Sequence, residues 1–537
     1  MPVIGTPVAA EDPAARANRE HHLALIGAFR ALEEKIHSRS AAAAERFAAQ
    51  GKLLPRERLA LLLDPGTPFL EISTLAGLGM HDDDGKDMVL GGGIISGIGF
   101  IRGVRCAINI NDAAIKGGTF APMGLKKALR LQQIALENRL PLVSLVESGG
   151  ANLLYQADVF IDGGQLFHNQ ARLSAAGIPQ ITVVHGPSTA GGAYTPGLSD
   201  YVIMVRNRAR VYLAGPPLLK AATGEVAGEE ELGGAGMHGR ISGVADYLAE
   251  DDREGIGIAR DIIARLPWPR MEGAPATFRE PVFPAEDLLC LTPADYGTPV
   301  DVREIIARLT DGSDFLEFKQ DYGVQTICGQ AAIMGQSCGI IGNNGPIDGD
   351  GANKAAQFIQ LCCQSATPLI FLQNTTGFMV GTDAEQGGIV KHGAKMIQAV
   401  SNATVPRITL HIGASFGAGN YGMCGRAFNP RFIFAWPNNR IGVMGARQAA
   451  QVMSIIAAEK SARAGQTLDD EARAALEAPI IARMEQESSA LFATARLWDD
   501  GLIDPRDSRT VLGFCLATCR EGDERPLNPS TFGVARL

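Results

Sequence analysis

Two glycine-rich stretches are the strongest candidates for chemistry in this chain, because a glycine backbone can approach a ligand closely. They occupy residues 186–194 and 413–421, and each follows a short apolar run that reads as a β-strand. A strand that ends in small residues just before a helix leaves backbone N–H groups pointing outward, where they can hold an anion. The stretches therefore predict two oxyanion-stabilising loops and an active site with two halves.

The second stretch also supports a rival enzyme hypothesis. Residues 413–417 match G-x-S-x-G, the nucleophile motif of α/β hydrolases, with Ser415 as the nucleophile. The motif constrains only three positions, and the first stretch keeps the glycines and the tyrosine without this arrangement. The shared features favour a role for the backbone over one for the serine. His185 and His411 end the two strands as candidate bases, although a core position is the simpler interpretation of each.

The two stretches belong to an internal duplication. Pro141 and Pro368 start similar apolar runs, and their separation along the chain is the same as that between Pro179 and Pro406. A constant offset over several matched segments in the same order is the signature of a repeat with only local insertions.

The repeat predicts two homologous domains. A proline-rich linker near 267–284 separates the N-terminal domain, 14–273, from the C-terminal domain, 280–537. In each, short Val, Ile and Leu runs alternate with Ala-rich helical segments, which is typical of an α/β fold. Leading helices are expected over 14–50, and residues 448–496 are predicted to be largely helical, with no counterpart of that length in the first domain.

Composition narrows the class of protein. The 537 residues are 46% hydrophobic and carry a formal charge of −9 without a basic stripe, so we expect neither nucleic acid nor a membrane as a partner. Nine cysteines without a Cys-x-x-Cys pair, and histidines without paired-ligand spacing, indicate reduced thiols and no metal site. No secretory signal is recognisable at the N-terminus, and we expect a cytoplasmic protein.

Over nearly its whole length, the chain resembles the carboxyltransferase β subunits of biotin-dependent acyl-CoA carboxylases. The resemblance is carried by six segments, at 148–152, 189–194, 214–225, 387–395, 416–425 and 435–445. They look most like the branch that carboxylates the γ-carbon of 3-methyl-branched enoyl-CoA thioesters, methylcrotonyl-CoA or geranyl-CoA.

This resemblance implies two duplicated crotonase-like domains of the ββα spiral type. It implies that acyl-CoA binds mainly to the N-terminal half, and carboxybiotin to the C-terminal half of a neighbouring subunit. It further implies a homo-hexameric core and a separate α subunit that carries the biotin carboxylase and the biotin carrier.

The implied reaction gives roles to the two loops. Removing a γ-proton pushes negative charge onto the thioester oxygen, where the Gly191 and Gly192 amides would stabilise it. Release of CO2 from carboxybiotin leaves charge on the ureido oxygen, which the Ala418 and Gly419 amides would face. Each such donor is typically worth ~10²–10³ in rate. The freed ureido nitrogen is itself a plausible base.

Further residues are assigned to binding through the same resemblance. Those on the acyl-CoA side are Lys116, Gly117, Gly118, Gly149, Gly150, Gly163, Gly164 and Lys220, and those on the carboxybiotin side are Phe416, Gly417 and Lys391. Lys126 and Lys127 are additional candidates for the CoA phosphates.

Gly163 bears on the length of the acyl chain. Methylcrotonyl-type members of the family have a slightly longer segment here, with a phenylalanine at the equivalent place. Because the loss of a phenyl ring would open room for a longer chain, we predict geranyl-CoA as the substrate. A preference for methylcrotonyl-CoA, with Gly163 merely repacking the loop, is the alternative, and a catalytically inactive scaffold is a third hypothesis.

Overall fold

The computed structural model describes residues 3–9, 11–81, 89–270, 277–464 and 469–536. These residues form two compact units. The first unit comprises the described parts of 30–274, 495–497 and 518–537, and the second comprises those of 1–29, 275–494 and 498–517. Both combine a sheet with packed helices, as the sequence predicts.

The first unit is built on a sheet whose central strands are parallel. Its strands are β1 (Leu70–Glu71), β2 (Ile94–Ile101), β3 (Val104–Asn111), β4 (Leu142–Ser148), β5 (Gln180–Thr189), β6 (Tyr201–Val205), β7 (Arg210–Tyr212) and β8 (Tyr247–Ala249). Their order is β1-β2-β3-β4-β5-β6-β8, with β7 beside β5. β1, β2 and β3 pair antiparallel, and β3 to β6 pair in parallel. Every residue of β4 is buried, as expected of a parallel strand covered on both faces.

Helices accompany this sheet wholly or partly within the first unit, and residues 13–29 of the first of them belong to the second unit. In chain order they are α1 (Pro13–Ala41), α2 (Ala44–Ala49), α3 (Pro55–Leu62), α4 (Pro122–Glu137), α5 (Gln156–Ala175), α6 (Tyr194–Gly197), α7 (Pro216–Thr223), α8 (Glu229–Gly233), α9 (Ala235–Met237) and α10 (Asp252–Arg265). The apolar face of α10 and the side chains of β3 to β6 form one buried cluster around Ile108, Val143 and Val183. Burial of this apolar face stabilises the unit.

The second unit repeats the same plan. Its strands are β9 (Leu316–Glu317), β10 (Thr326–Ile333), β11 (Gln336–Asn343), β12 (Leu369–Thr375), β13 (Arg407–Phe416), β14 (Phe432–Ala435) and β15 (Arg440–Gly442), in the order β14-β13-β12-β11-β10-β9 with β15 beside β13. Its helices are α11 (Leu288–Leu291), α12 (Val302–Leu309), α13 (Gly349–Gln364), α14 (Thr382–Gln386), α15 (Ile389–Asn402), α16 (Gly417–Gly422), α17 (Ala446–Arg463), α18 (Asp470–Glu487), α19 (Ala490–Ala495) and the part of α20 (Ser508–Glu524) that precedes residue 518. The helices α17 to α19 confirm the helical region predicted over 448–496.

The two sheets share an irregularity that confirms the duplication. The pairing of β4 with β5 shifts register between Val146 and Ser148. The pairing of β12 with β13 shifts between Gln373 and Thr375, which are the equivalent positions of the second repeat. A β-bulge at the same place in both halves re-aims the chain just before each glycine loop.

The compact units differ from the predicted domain ranges, 14–273 and 280–537, at the ends of the chain. Residues up to 29 lie in the second unit, where the His22 ring Nε2 is 3.1 Å from the Thr292 carbonyl oxygen. Residues from 518 lie in the first unit, where Arg525 donates to the Arg139 carbonyl at 2.5 Å. Buried long-range contacts of this kind are not visible in a local sequence pattern.

No helix in the described ranges combines the length and the apolar character needed to cross a membrane.

Candidate active site

The first glycine stretch forms the turn that ends β5. A 3-10 helix, Ala190–Ala193, follows the strand, and Ala190 enters it in the left-handed region with φ 52°. The first N–H groups of a helical turn have no acceptor within the turn, so those of Gly191 and Gly192 are available to a ligand. The Ser188 hydroxyl donates to the Gly192 carbonyl at 2.9 Å, which fixes the orientation of this turn. The turn can therefore present a pair of donors to an oxyanion.

The second stretch has the same construction. β13 leads into α16 through Gly417, which has φ 57° and occupies the position of the second repeat that is equivalent to Ala190. Ala418 and Gly419 follow in the first turn of α16, where backbone N–H groups again lack helical acceptors. A Cβ at Gly419 would lie 2.9 Å from the Gly377 Cα, so this position requires glycine.

The hydroxyl of Ser415 is fully engaged in the core of the second unit. The residue is completely buried, donates to Gln373 Oε1 at 2.5 Å and accepts from Asn420 Nδ2 at 2.7 Å. Burial lowers the pKa of His411 to about 4, which keeps this ring neutral near pH 7. These contacts assign Ser415 to packing and remove the support for a serine hydrolase.

The predicted acyl-CoA loops lie side by side. The Gly149 amide donates to the Gly117 carbonyl at 3.3 Å, which joins the loop after β4 to the 3-10 turn Lys116–Gly118. Lys116 is exposed and its side chain is accessible to a phosphate. A Cβ at Gly150 would lie 3.0 Å from the Thr189 carbonyl oxygen, so this loop also packs against the end of β5.

The other lysine candidates differ in their exposure. Lys220 is exposed near the C-terminal end of α7. Lys127 is fully enclosed and donates to the Ile94 carbonyl at 2.7 Å and to the Gly91 carbonyl at 3.3 Å. Burial lowers the pKa of Lys127 to about 8. Assigning Lys127 to CoA phosphates is therefore wrong, because its ammonium group stabilises the turn before β2.

Gly163, Gly164, Gly191 and Gly192, which belong to separate sequence motifs, line one apolar cavity of about 490 Å³. Its lining residues are Phe120, Leu125, Ala151, Leu153, Gln156, Val159, Phe160, Ile161, Gly163, Gly164, Leu166, Phe167, Gly191 and Gly192. One wall is a face of α5, and Gly191 lies on the wall that the oxyanion turn provides. A Cβ at Gly163 or at Gly164 would meet nothing within 4 Å, so both glycines face open space.

The residues predicted to bind carboxybiotin lie in different environments near the second loop. The Phe416 ring is buried and packs 5.4 Å from the Tyr296 ring, centroid to centroid, which makes it a support for the turn. Lys391 is exposed on the first turn of α15. A second cavity, of about 590 Å³, is lined in part by Tyr296, Arg440 and Arg447. Tyr296 was not among the residues predicted from the sequence.

A buried ionic cluster beneath the first loop was also missed. Glu147 accepts from Lys52 Nζ at 2.7 Å and from Arg58 NH1 at 2.9 Å. Arg58 also donates to Asp252 Oδ2 at 3.1 Å, and Asp252 Oδ1 is 2.9 Å from His185 Nδ1. Burial lowers the pKa of His185 to about 4, so its ring is neutral near pH 7. The lone carboxylate in the apolar run of β4 was the available signal for this cluster.

Comparison with known proteins decides the family. The family model described as the carboxyl transferase domain matches residues 46–530. A protein of Mycobacterium tuberculosis named a probable biotin-dependent acyl-coenzyme A carboxylase beta2 subunit is 52% identical over 494 residues, covering 92% of each chain. The present chain belongs to the carboxyltransferase family.

Two more relatives of this carboxyltransferase extend the match. The probable mitochondrial methylcrotonoyl-CoA carboxylase beta chain of Drosophila melanogaster is 47% identical over 545 residues, covering 97% of this chain and 93% of that one. The crystal structure of the P. aeruginosa geranyl-CoA carboxylase beta subunit superposes with a TM-score of 0.93 at 55% identity, covering 100% of both chains.

These matches confirm the resemblance, the crotonase-like fold and the enzyme class: the chain is the carboxyltransferase component of a biotin-dependent acyl-CoA carboxylase. The individual site residues remain predictions. Within the described ranges, no group of three or more His, Cys, Asp and Glu side chains is arranged to hold a metal ion. The expectation that the chain carries no metal also remains a prediction.

Proposed function

We propose that this chain is the β subunit of a geranyl-CoA carboxylase and carboxylates the γ-carbon of geranyl-CoA. The observation that carries the proposal is the apolar cavity of about 490 Å³, which runs from Gly163 on α5 to the oxyanion turn at Gly191. Support comes also from the similarity to the P. aeruginosa geranyl-CoA carboxylase beta subunit.

The size and lining of the cavity favour the longer of the two acyl chains. A geranyl group has five more carbons than a methylcrotonyl group, and the burial of each additional carbon stabilises the complex by about 0.8 kcal/mol. A site that encloses the whole chain thus gains roughly 4 kcal/mol over one that encloses only its first five carbons. Since a side chain at Gly163 would project into the open space, glycine keeps this part of the cavity available.

The first loop supplies the electrostatic part of the reaction. As the γ-proton leaves, charge accumulates on the thioester oxygen, and the Gly191 and Gly192 amides donate to it. These donors are fixed in advance by the Ser188 bond to the Gly192 carbonyl, so little reorganisation is needed during the reaction. The apolar side chains of Leu166 and Phe167 line the same cavity, and surroundings of low polarity strengthen hydrogen bonds.

The second loop receives the cofactor. When bound, carboxybiotin supplies CO2 and a ureido nitrogen that can accept the γ-proton. The Ala418 and Gly419 amides would stabilise negative charge on the ureido oxygen, while Phe416 and Gly417 would hold the turn that presents them. Lys391 lies on the first turn of α15 as a binding residue. Lys116 and Lys220, with the neighbouring glycine loops, bind the CoA portion.

Because acyl-CoA and carboxybiotin bind to different loops, the proposed reaction requires other subunits. We propose a homo-hexameric core in which the acyl-CoA loops of one subunit meet the carboxybiotin loops of its neighbour, and a separate α subunit that carboxylates and delivers biotin. The similarity to beta subunits of biotin-dependent carboxylases supports this arrangement. We place the assembly in the cytoplasm, and no nucleic acid or membrane takes part.

The decisive experiment is to reconstitute the chain with its α subunit and to measure the incorporation of labelled bicarbonate into geranyl-CoA and 3-methylcrotonyl-CoA. We expect a higher kcat/KM for geranyl-CoA. A strong preference for methylcrotonyl-CoA would refute the substrate assignment while leaving the reaction class intact. Failure with both thioesters, in an assembled complex whose α subunit carboxylates biotin, would refute the whole proposal.

A further inference from the structure

Glu147 lies where the loops of the acyl-CoA site meet. It stands at the register shift between β4 and β5, opposite the extra residues of β5, and directly precedes Ser148, whose hydroxyl accepts from the Gly150 amide at 3.1 Å. A Cβ at Gly118 would collide with the Glu147 carbonyl oxygen. A Cβ at Gly186 would lie 2.8 Å from its carboxylate. One residue thus contacts or adjoins all three substrate loops.

Two cations hold the Glu147 carboxylate in this position. Lys52 and Arg58 each bind one of its oxygens, and the carboxylate side chain is only 8% exposed. Burial alone would raise the pKa of Glu147, but the Arg58 guanidinium and the Lys52 ammonium outweigh it and hold the pKa below its ordinary value. The carboxylate is therefore ionised throughout the neutral range.

Arg58 extends the cluster to the next helix. It bridges Glu147 and Asp252 at the start of α10, and the Leu53 amide donates to Asp252 Oδ2 at 2.8 Å. His185 on β5 contacts the Asp252 carboxylate through its Nδ1 atom. The cluster therefore ties together the segment before α3, the end of β4, the strand β5 and the helix α10.

The second unit shows that the fold itself does not need these charges. The counterpart of Glu147 is Asn374, whose Oδ1 accepts from the Ala414 amide at 3.1 Å. A Cβ at Gly413 would collide with this side chain, just as Gly186 packs against Glu147. The counterpart of Arg58 is Ile305. A neutral amide and an apolar residue therefore suffice to build the same bulge.

We propose that Glu147 is a positioning residue, whose ion pairs with Lys52 and Arg58 hold the three acyl-CoA loops so that the Gly191 and Gly192 amides face the thioester oxygen. The inference rests on the proposed carboxyltransfer to an enoyl-CoA, but it does not depend on the length of the acyl chain. Because both thioesters develop the same charge, a change at Glu147 reduces kcat by the same factor for geranyl-CoA and methylcrotonyl-CoA.

The test uses the assembled holoenzyme with Glu147→Gln, which keeps the side-chain shape and removes the charge. A misplacement of about 1 Å at a reacting centre costs up to ~10²-fold in rate. We expect kcat to fall ~10–100-fold with both thioesters, while KM for the acyl-CoA changes less than about threefold and ATP hydrolysis by the α subunit with bicarbonate is unchanged. An assembled variant with wild-type kcat would overturn the proposal.

Two further variants separate positioning from folding. The double variant Glu147→Asn with Arg58→Ile introduces the residues that the second unit has at these two positions, and we expect it to assemble if the single variant fails to fold. An assembled double variant with reduced kcat supports the proposal, and one with full kcat refutes it. Lys52→Met removes only the partly exposed cation and leaves the core intact. It should reduce kcat by a smaller factor, and unchanged kcat would again refute the proposal.

If the wild-type holoenzyme carboxylates neither thioester, the proposed function fails before any variant is compared. The two failures are therefore distinguishable, because the Glu147 inference is judged only by variants of an active complex.

Discussion

Replacing Gly163 with phenylalanine should convert the long acyl cavity into a short one. Gly163 lies within α5, on the wall of the cavity of about 490 Å³. Since a Cβ there meets nothing within 4 Å, a side chain can leave α5 at this position without a clash at its Cβ atom. Phenylalanine also has a higher helix propensity than glycine, so the substitution does not weaken α5.

The expected magnitude follows from the acyl carbons that the ring displaces. Five carbons at about 0.8 kcal/mol each give roughly 4 kcal/mol, which corresponds to about a thousandfold in kcat/KM if all are excluded. We expect Gly163→Phe to reduce kcat/KM for geranyl-CoA by ~10²–10³ and to change it less than about threefold for methylcrotonyl-CoA, which lacks these carbons.

The assay is the initial rate of bicarbonate fixation with each thioester over a range of concentrations. Gly163→Ala is the matched control: its methyl group contacts nothing, so both substrates should react as in the wild type. The alanine should also stabilise α5 by about 1 kcal/mol, measurable as a higher melting temperature. An equal loss with both thioesters, or no loss with either, would show that Gly163 does not set the length of the chain.

Three other predictions concern the loops and the core. Ser415→Ala removes the hydroxyl that accepts from Asn420 and donates to Gln373 in the core, so it should lower the free energy of unfolding by about 1–3 kcal/mol while carboxylation stays near normal. Abolished turnover in an intact assembly would revive the hydrolase hypothesis. Ala190 and Gly417 both have a positive φ, which glycine adopts more readily than alanine. Ala190→Gly should therefore raise the free energy of unfolding by up to about 1 kcal/mol, and Gly417→Ala should lower it by at least as much. Melting temperatures that shift in the same direction for both variants would contradict this prediction. Burial raises the pKa of Asp499 to about 7, so the folded protein loses stability as pH rises from about 4 to 7. Asp499→Asn should remove this loss and raise the free energy of unfolding at pH 8 by up to about 4 kcal/mol, and an unchanged pH dependence of melting would refute it.

The sequence by itself determined the duplication, the two glycine loops and the family. These features are local and periodic: a strand followed by glycines predicts where backbone amides are exposed, and a constant offset between matched segments predicts two copies of the arrangement. The constant offset also explains why Ala190 and Gly417 occupy equivalent turns. The helices after β15 were predicted separately, because residues 448–496 are rich in Ala, Glu and Arg.

Only the tertiary structure decided which residues meet. Gly163 and Gly191 line one cavity because α5 packs beside the end of β5, and no local pattern encodes that distance. Lys127 was a candidate for the CoA phosphates, but helix packing directs its ammonium group onto buried carbonyls. Glu147 acquires its cations from Lys52 and Arg58, which are distant in sequence. Pairings between buried charges depend on how separate elements pack, so the sequence shows the lone carboxylate but not the cluster that holds it.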